Sequence, residues 1–180
     1  MSKVAILVGS PRKNGNTEIL VNYLCEGLKV NNNEIDMISI RDWKINPCLG
    51  CNCCFENGGV CVQKDGMNEL YNKLQSSDII VIASPVYFYG ISAQLKCIID
   101  RLHNPIRNTF KVKKMALISV AGDTRQCVFN SIKYQYEDLL KYFNLENLGE
   151  IIVYGVRHMN EISEHKDELQ KAFELGKSIK

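Results

Sequence analysis

Val4-Ala5-Ile6-Leu7-Val8 runs directly into Gly9-Ser10-Pro11-Arg12-Lys13-Asn14-Gly15-Asn16-Thr17, and an amphipathic stretch begins near Glu18. An unbroken apolar run of this length predicts a strand covered on both faces. The loop after it is rich in hydroxyl, amide and glycine, and the amphipathic stretch predicts a helix. Strand, donor-rich loop and helix N-terminus together make a phosphate cradle. The loop turns N–H groups inward, and the first helical turn adds partial positive charge. Ser10, Asn16 and Thr17 can donate to phosphate oxygens. Asn14 stands in the same loop, and Arg12 and Lys13 add positive charge. The spacing is not that of a Gly-Lys-Ser/Thr nucleotide loop, and Gly9 and Gly15 are too far apart for G-x-G-x-x-G. A loop with few glycines and many side-chain donors suits a terminal phosphate monoester.

The totals set bounds on the rest. The chain has 180 residues, enough for one α/β domain with a substantial core. It is 46% hydrophobic and 23% charged, with a formal net charge of +2. That balance is ordinary for a globular domain and gives no electrostatic case for nucleic acid. There is no apolar run long enough to cross a membrane and no leader pattern, because Met1-Ser2-Lys3 enters the first strand. These features predict a cytoplasmic protein with no membrane or nucleic-acid partner. Eight cysteines in such a compartment read as thiols, metal ligands or redox groups rather than as a disulfide framework.

Outward from the first loop, apolar and amphipathic stretches alternate. Strands are predicted at Val4–Val8, Ile35–Ile40, Asp78–Ser84, Lys114–Val120 and Glu150–Val156. Helices are predicted at Thr17–Val30, Ser92–Leu102, Gln126–Phe143 and Ile162–Ile179. This rhythm predicts an α/β fold: a flavodoxin-like, doubly wound, five-stranded parallel sheet with helices on both faces. One domain spans residues 1–180. Residues 41–66 break the rhythm, holding Pro47, Gly50, Gly58, Gly59 and five of the eight cysteines. A loop of that length inside a small domain is usually functional.

In a doubly wound sheet the loops after the first, third and fourth strands converge. The second of these is Ser84-Pro85-Val86-Tyr87-Phe88-Tyr89-Gly90. Three aromatics in a row are costly to leave in water, so they are expected to pack on a ligand, in an interface or over the core. The third loop, Ser119-Val120-Ala121-Gly122-Asp123-Thr124-Arg125, has small residues that let the backbone approach a ligand closely. A phosphate site, an aromatic loop and a close-approach loop together describe FMN. Backbone N–H groups of Val86–Gly90 and Ala121–Gly122 are expected near the pyrimidine edge of its ring.

Gly9-Ser10-Pro11-Arg12 with Asn14-Gly15-Asn16-Thr17 resembles the first loop of the NADPH-dependent FMN reductases and the related iron–sulfur flavoproteins. Ser84-Pro85-Val86-Tyr87-Phe88, then Ser92-Ala93-Gln94-Leu95-Lys96 and Ile99-Asp100-Arg101, is similar to their second flavin loop and helix. Pro47-Cys48-Leu49-Gly50-Cys51 with Cys54, Cys61, Asp65 and Met67 looks like their cysteine loop. The resemblance covers roughly the first two-thirds of the chain. It implies bound FMN, hydride delivery by NAD(P)H to the flavin N5, and a homodimer or homotetramer. It implies a quinone, an azo or nitro compound, free flavin or a protein as electron acceptor. Gly66 departs from the pattern, since many relatives carry a second acidic residue there. An FMN-binding electron carrier without NAD(P)H activity is the alternative, and a zinc-binding regulatory module on the same scaffold is a third.

Cys48-x-x-Cys51-x-x-Cys54-x6-Cys61, with Cys53 as an extra, fits three states. Four thiolates can hold a 4Fe–4S cluster or zinc, or remain reduced structural thiols. Cys25, Cys97 and Cys127 fall on predicted helices and read as core residues. His103, His158 and His165 have no partner spacing. Lys111, Lys113 and Lys114 read as solvated. Trp43 and Tyr71 either line a cleft or pack.

Overall fold

The computed structural model describes residues 1–180. Its strands are β1 (Lys3–Val8), β2 (Glu34–Ser39), β3 (Ile79–Pro85), β4 (Lys114–Val120) and β5 (Glu146–Val153). All pairings are parallel, in the order β2-β1-β3-β4-β5. The helices are α1 (Asn16–Val30), α2 (Cys53–Glu56), α3 (Met67–Gln75), α4 (Ala93–Arg101), α5 (Asn130–Phe143) and α6 (Lys166–Ser178). No helix is long and apolar enough to cross a membrane.

The pleat divides β1 between two cores. Val4, Ile6 and Val8 face a layer with Leu20, Leu24 and Leu28 of α1 and Leu169 and Ala172 of α6. Ala5 and Leu7 face Leu70 and Leu74 of α3, Leu95 and Ile98 of α4, and Tyr136 of α5. Helix α3 was not among the predicted helices. Asp65 starts it, its Oδ1 accepting from the Met67 N–H at 3.2 Å. A Cβ on Gly66 would stand 3.0 Å from Cε3 of Trp43, so the indole occupies the space a larger residue would need. Trp43 packs on the second core.

Several boundaries differ from the sequence expectation. Strand β5 spans Glu146–Val153 rather than 150–156. It is an edge strand with a register irregularity opposite Met115/Ala116 and a positive φ of 128° at Gly149, so its polar, glycine-broken start hides the strand pattern. Gly155, at φ 75°, ends the extended run. Gln126–Phe129 and Glu161–Glu164 are 3₁₀ turns leading into α5 and α6 rather than parts of those helices. Within residues 41–66, α2 adds one short helical turn. Of the three cysteines assigned to the core, Cys25 is buried, Cys97 is half-buried and Cys127 is exposed. Cys97 lies toward the outer side of α4, and Cys127 sits in the 3₁₀ turn before α5 rather than on the helix.

Candidate functional site

The strand order reverses between β1 and β3, and there the carboxyl-edge loops part into a crevice. Ser10, Arg12, Asn16, Thr17, Pro85, Val86, Tyr87, Val120, Gly122, Val156 and Arg157 line a cleft of about 160 Å³. A second cleft of about 240 Å³ is lined by Val86, Phe88, Tyr89, Ala121, Gly122, Asp123, Arg125 and Val128. The clefts share Val86 and Gly122. One end is polar and basic, the other aromatic. Asn14 and Gly90 line neither. A larger apolar hollow, about 290 Å³, lies at the opposite, amino end of β3 and β4 around Ile80, Phe110, Met115 and Tyr142.

The phosphate loop is braced from behind. Arg41 grips the Glu18 carboxylate with both terminal nitrogens, at 3.0 and 2.7 Å, and its Nη1 reaches the Arg12 carbonyl at 3.3 Å. Glu18 also accepts from the Asn14 N–H at 2.6 Å. Asn14 takes a left-handed φ of 54°, which asparagine tolerates. Arg41, with the Asn14 N–H and nearby Lys13 adding to it, holds the Glu18 carboxyl below its ordinary range. Ser10 Oγ accepts from the Arg12 N–H at 3.2 Å. The N–H groups of Asn16 and Thr17, in the first helical turn, have no intrahelical acceptor. Asn16 lines the cleft, where its backbone N–H rather than its side chain is what it can offer a phosphate. Its side-chain amide donates to the carbonyls of Val156 and His158 and accepts from the Ile162 N–H, so it ties loops together and is not free for phosphate. Thr17 makes no side-chain hydrogen bond within the chain and remains a donor.

The aromatic loop is clipped at its base. Ser84 Oγ accepts from the Ser92 N–H at 3.1 Å, and Ser119 Oγ donates to the Ser84 carbonyl at 2.8 Å. Tyr87 and Gly90 exchange backbone bonds across Phe88 and Tyr89, whose φ values are 44° and 66°. This is a two-residue hairpin with both central residues left-handed, a conformation costly for bulky side chains and typical of functional strain. Phe88 is 98% exposed, and Tyr87 and Tyr89 are partly exposed. Phe88 and Tyr89 meet edge-on at 5.8 Å and none of the three aromatics is buried in the core, which leaves a ligand or an interface among the expected partners. The N–H groups of Val86, Tyr87, Gly90 and Ala121 already donate to carbonyls. Of the expected ring-facing amides, those of Phe88, Tyr89 and Gly122 remain. Arg125 Nη2 donates to Tyr89 Oη at 3.2 Å and pairs with Asp123, whose pKa it lowers to about 2.

The donor set fits FMN: hydroxyls, first-turn N–H groups and arginines at one end, and a wall of small and aromatic residues with unpaired amides at the other. Arg157, Arg41 and Glu18 escaped the sequence reading. Arg41 and Arg157 follow β2 and β5, and a lone arginine after a strand looks like any solvated charge until the topology brings it to the crevice.

The cysteine segment forms a separate site. Cys48, Cys51, Cys54 and Cys61 line one cavity of about 90 Å³, with Tyr71, Arg101, His103 and Asn104. Cys53 does not line it, and its thiol donates to the Cys51 carbonyl. No three His, Cys, Asp or Glu side chains gather closely enough to hold a metal ion. In chemistry, however, the residues fit an anionic thiolate-bound group, because Arg101 lines the cavity with a buried Nε that has no partner. Arg101 and Asp65 form a buried ion pair at 2.5 Å that sequence reading did not find. Burial alone would raise the Asp65 pKa. Arg101 and the N–H groups of Asn46 and Met67 outweigh it, and the carboxyl titrates below its ordinary range. Of the histidines, only His103 lines this cavity.

Comparison with known proteins gives a family. The chain is 33% identical to an iron–sulfur flavoprotein of Archaeoglobus fulgidus over 183 residues, covering 99% of this chain and 79% of that one. It is 41% identical to an iron–sulfur flavoprotein of Methanocaldococcus jannaschii over 111 residues, covering 62% of this chain and only 56% of the relative's length. Its fold superposes on NAD(P)H:quinone oxidoreductase from Methanothermobacter marburgensis with a TM-score of 0.82 at 15% identity, covering 99% and 96% of the two chains. Residues 2–143 match the NADPH-dependent FMN reductase family, to which this chain belongs.

Proposed function

We propose that this chain is an FMN-dependent oxidoreductase that takes reducing equivalents from NADH or NADPH. It passes them to a quinone, an azo or nitro compound, free flavin or a protein. The observation that carries this reading is the pair of adjoining clefts at the strand-order reversal, one polar and one aromatic. Bound FMN supplies the redox chemistry. Ser10, Thr17 and the first-turn N–H groups hold its phosphate, while Arg12 and Arg157 offset the charge. The Phe88, Tyr89 and Gly122 amides serve the polar edge of the ring. Phe88 stands free at the rim, which suits a homodimer or homotetramer, acting in the cytoplasm, that covers it.

Stopped-flow mixing of FMN-loaded protein with each nucleotide is expected to bleach the flavin. The variant Thr17→Val is expected to bind FMN at least 10-fold more weakly, the scale of one lost hydrogen bond to a charged group. Absence of bleaching with either nucleotide would leave the electron-carrier reading instead.

A second reading is favoured by the four thiols around one cavity and by Arg101 beside them. Cys48, Cys51, Cys54 and Cys61 hold a 4Fe–4S cluster, the kind of group named in both relatives. Zinc or free thiols are the competing states, and metal and sulfide analysis after anaerobic reconstitution separates them.

A further inference from the structure

Arg101 ends α4 and is 3% exposed. Its Nη1 donates to Asp65 at 2.5 Å and to the Asn46 carbonyl at 3.3 Å. Asp65 is otherwise saturated, accepting from the Asn46 and Met67 N–H groups. On the other side of the guanidinium, Nη2 donates to Cys61 Sγ at 3.4 Å, and Nε is buried with no acceptor. Native interiors rarely leave such a donor unpaired without reason. Here the orphan belongs to a residue lining the cavity of Cys48, Cys51, Cys54 and Cys61. Tyr71 fixes the helix end by donating to the Arg101 carbonyl at 2.7 Å. The arrangement is a rigid cation, half satisfied by a carboxylate and half turned to sulfur.

We propose that Arg101 is the positioning and potential-setting residue of the thiol cavity, orienting Cys61 and supplying the counter-charge to an anionic iron–sulfur group held by the four thiolates. The proposal rests on the cluster reading above. A charged donor on a ligating sulfur stabilises the more negative, reduced state and raises the reduction potential. Asp65 has a supporting part: it neutralises one side of the guanidinium and fixes its plane.

The test uses anaerobically reconstituted full-length protein. Arg101→Lys keeps the charge but loses the fork. The pair Arg101→Gln with Asp65→Asn removes both charges, so no carboxylate is left buried alone. Circular dichroism and FMN affinity report whether each variant is folded. The cluster's midpoint potential is read by an electron paramagnetic resonance titration, and iron and sulfide per chain are counted. The expected result is a lower potential in both variants, larger in the neutral pair, with reduced iron retention in the pair. Folded variants with unchanged potential and full iron would overturn the role of Arg101 while leaving the cluster reading intact. Unmutated protein that takes up no iron and sulfide would sink the cluster reading and this proposal with it. Should the neutral pair fail to fold, Arg101→Lys decides by its potential alone.

Discussion

Asn16 and Thr17 are neighbours in the first turn of α1, and both carry side chains that can bind phosphate. Their partners separate them. Asn16 spends its amide on Val156, His158 and Ile162, stitching α1 to the segment after β5. Thr17 is buried, lines the cleft and keeps its hydroxyl. Asn16→Ala is therefore expected to lower the melting temperature of the FMN-free protein, with a loss of about 1–3 kcal/mol from backbone groups left unpaired. Thr17→Val is expected to leave that melt nearly unchanged. Thermal denaturation followed by circular dichroism distinguishes the two, and equal melts for both variants would put Asn16 back among the phosphate donors. Cys25 marks another contrast at this scale. Burial raises its pKa to about 11, against the pull of Lys29, so it is an inert core thiol unlike those of residues 48–61.

Between elements, the closest contact is the crossing of α1 and α6. A Cβ on Gly176 would lie 2.2 Å from the Leu24 carbonyl oxygen, and one on Gly27 would lie 2.0 Å from the Phe173 carbonyl oxygen. Each glycine lets the other helix's backbone in, so neither site can accept a methyl group without moving a helix. Gly176→Ala is expected to cost about 3 kcal/mol, in the upper range of overpacking, which is a fall of roughly 10 °C in a chain of this size. Of these two helices the FMN crevice uses only the first turn of α1, at Asn16 and Thr17, two turns before the Leu24 carbonyl that Gly176 approaches, so FMN-saturated protein of this variant should keep its ring spectrum. A melting point within a degree or two of the unmutated protein would show that the helices separate easily. The aromatic hairpin is the opposite kind of element. It is strained at Phe88 and Tyr89, held by Arg125, and exposed, which suits a ligand-contacting loop better than a stabilising one.

Over the whole molecule, two carboxylates bind segments distant in sequence: Glu18 joins the phosphate loop to Arg41, and Asp65 joins the cysteine segment to α4. Both have pKa values lowered by folding. Their contribution to stability is therefore fully present above the ordinary carboxylate pKa, near about 4, and is lost as pH falls through the lower folded-state values. Urea unfolding midpoints are expected to fall steeply on the acid side. The loss should be shallower for Glu18→Gln and for Asp65→Asn, although both variants start less stable. An acid limb that both substitutions leave unchanged would mean that other carboxylates control it. The sequence alone carried the sheet, because Val4–Val8, Ile79–Ser84 and Lys114–Val120 are apolar runs that only a doubly covered parallel strand accommodates. It also carried the donor-rich first loop, whose composition is local chemistry. It carried β5 with shifted bounds, missing the polar, bulged start that an edge position permits. It did not distinguish Asn16 from Thr17, or single out Arg41, Arg101 and Arg157. A side chain's hydrogen-bonding options are written in its type, but which of them are already taken depends on residues brought near from 23 to 146 positions away. Only the tertiary structure makes that allocation.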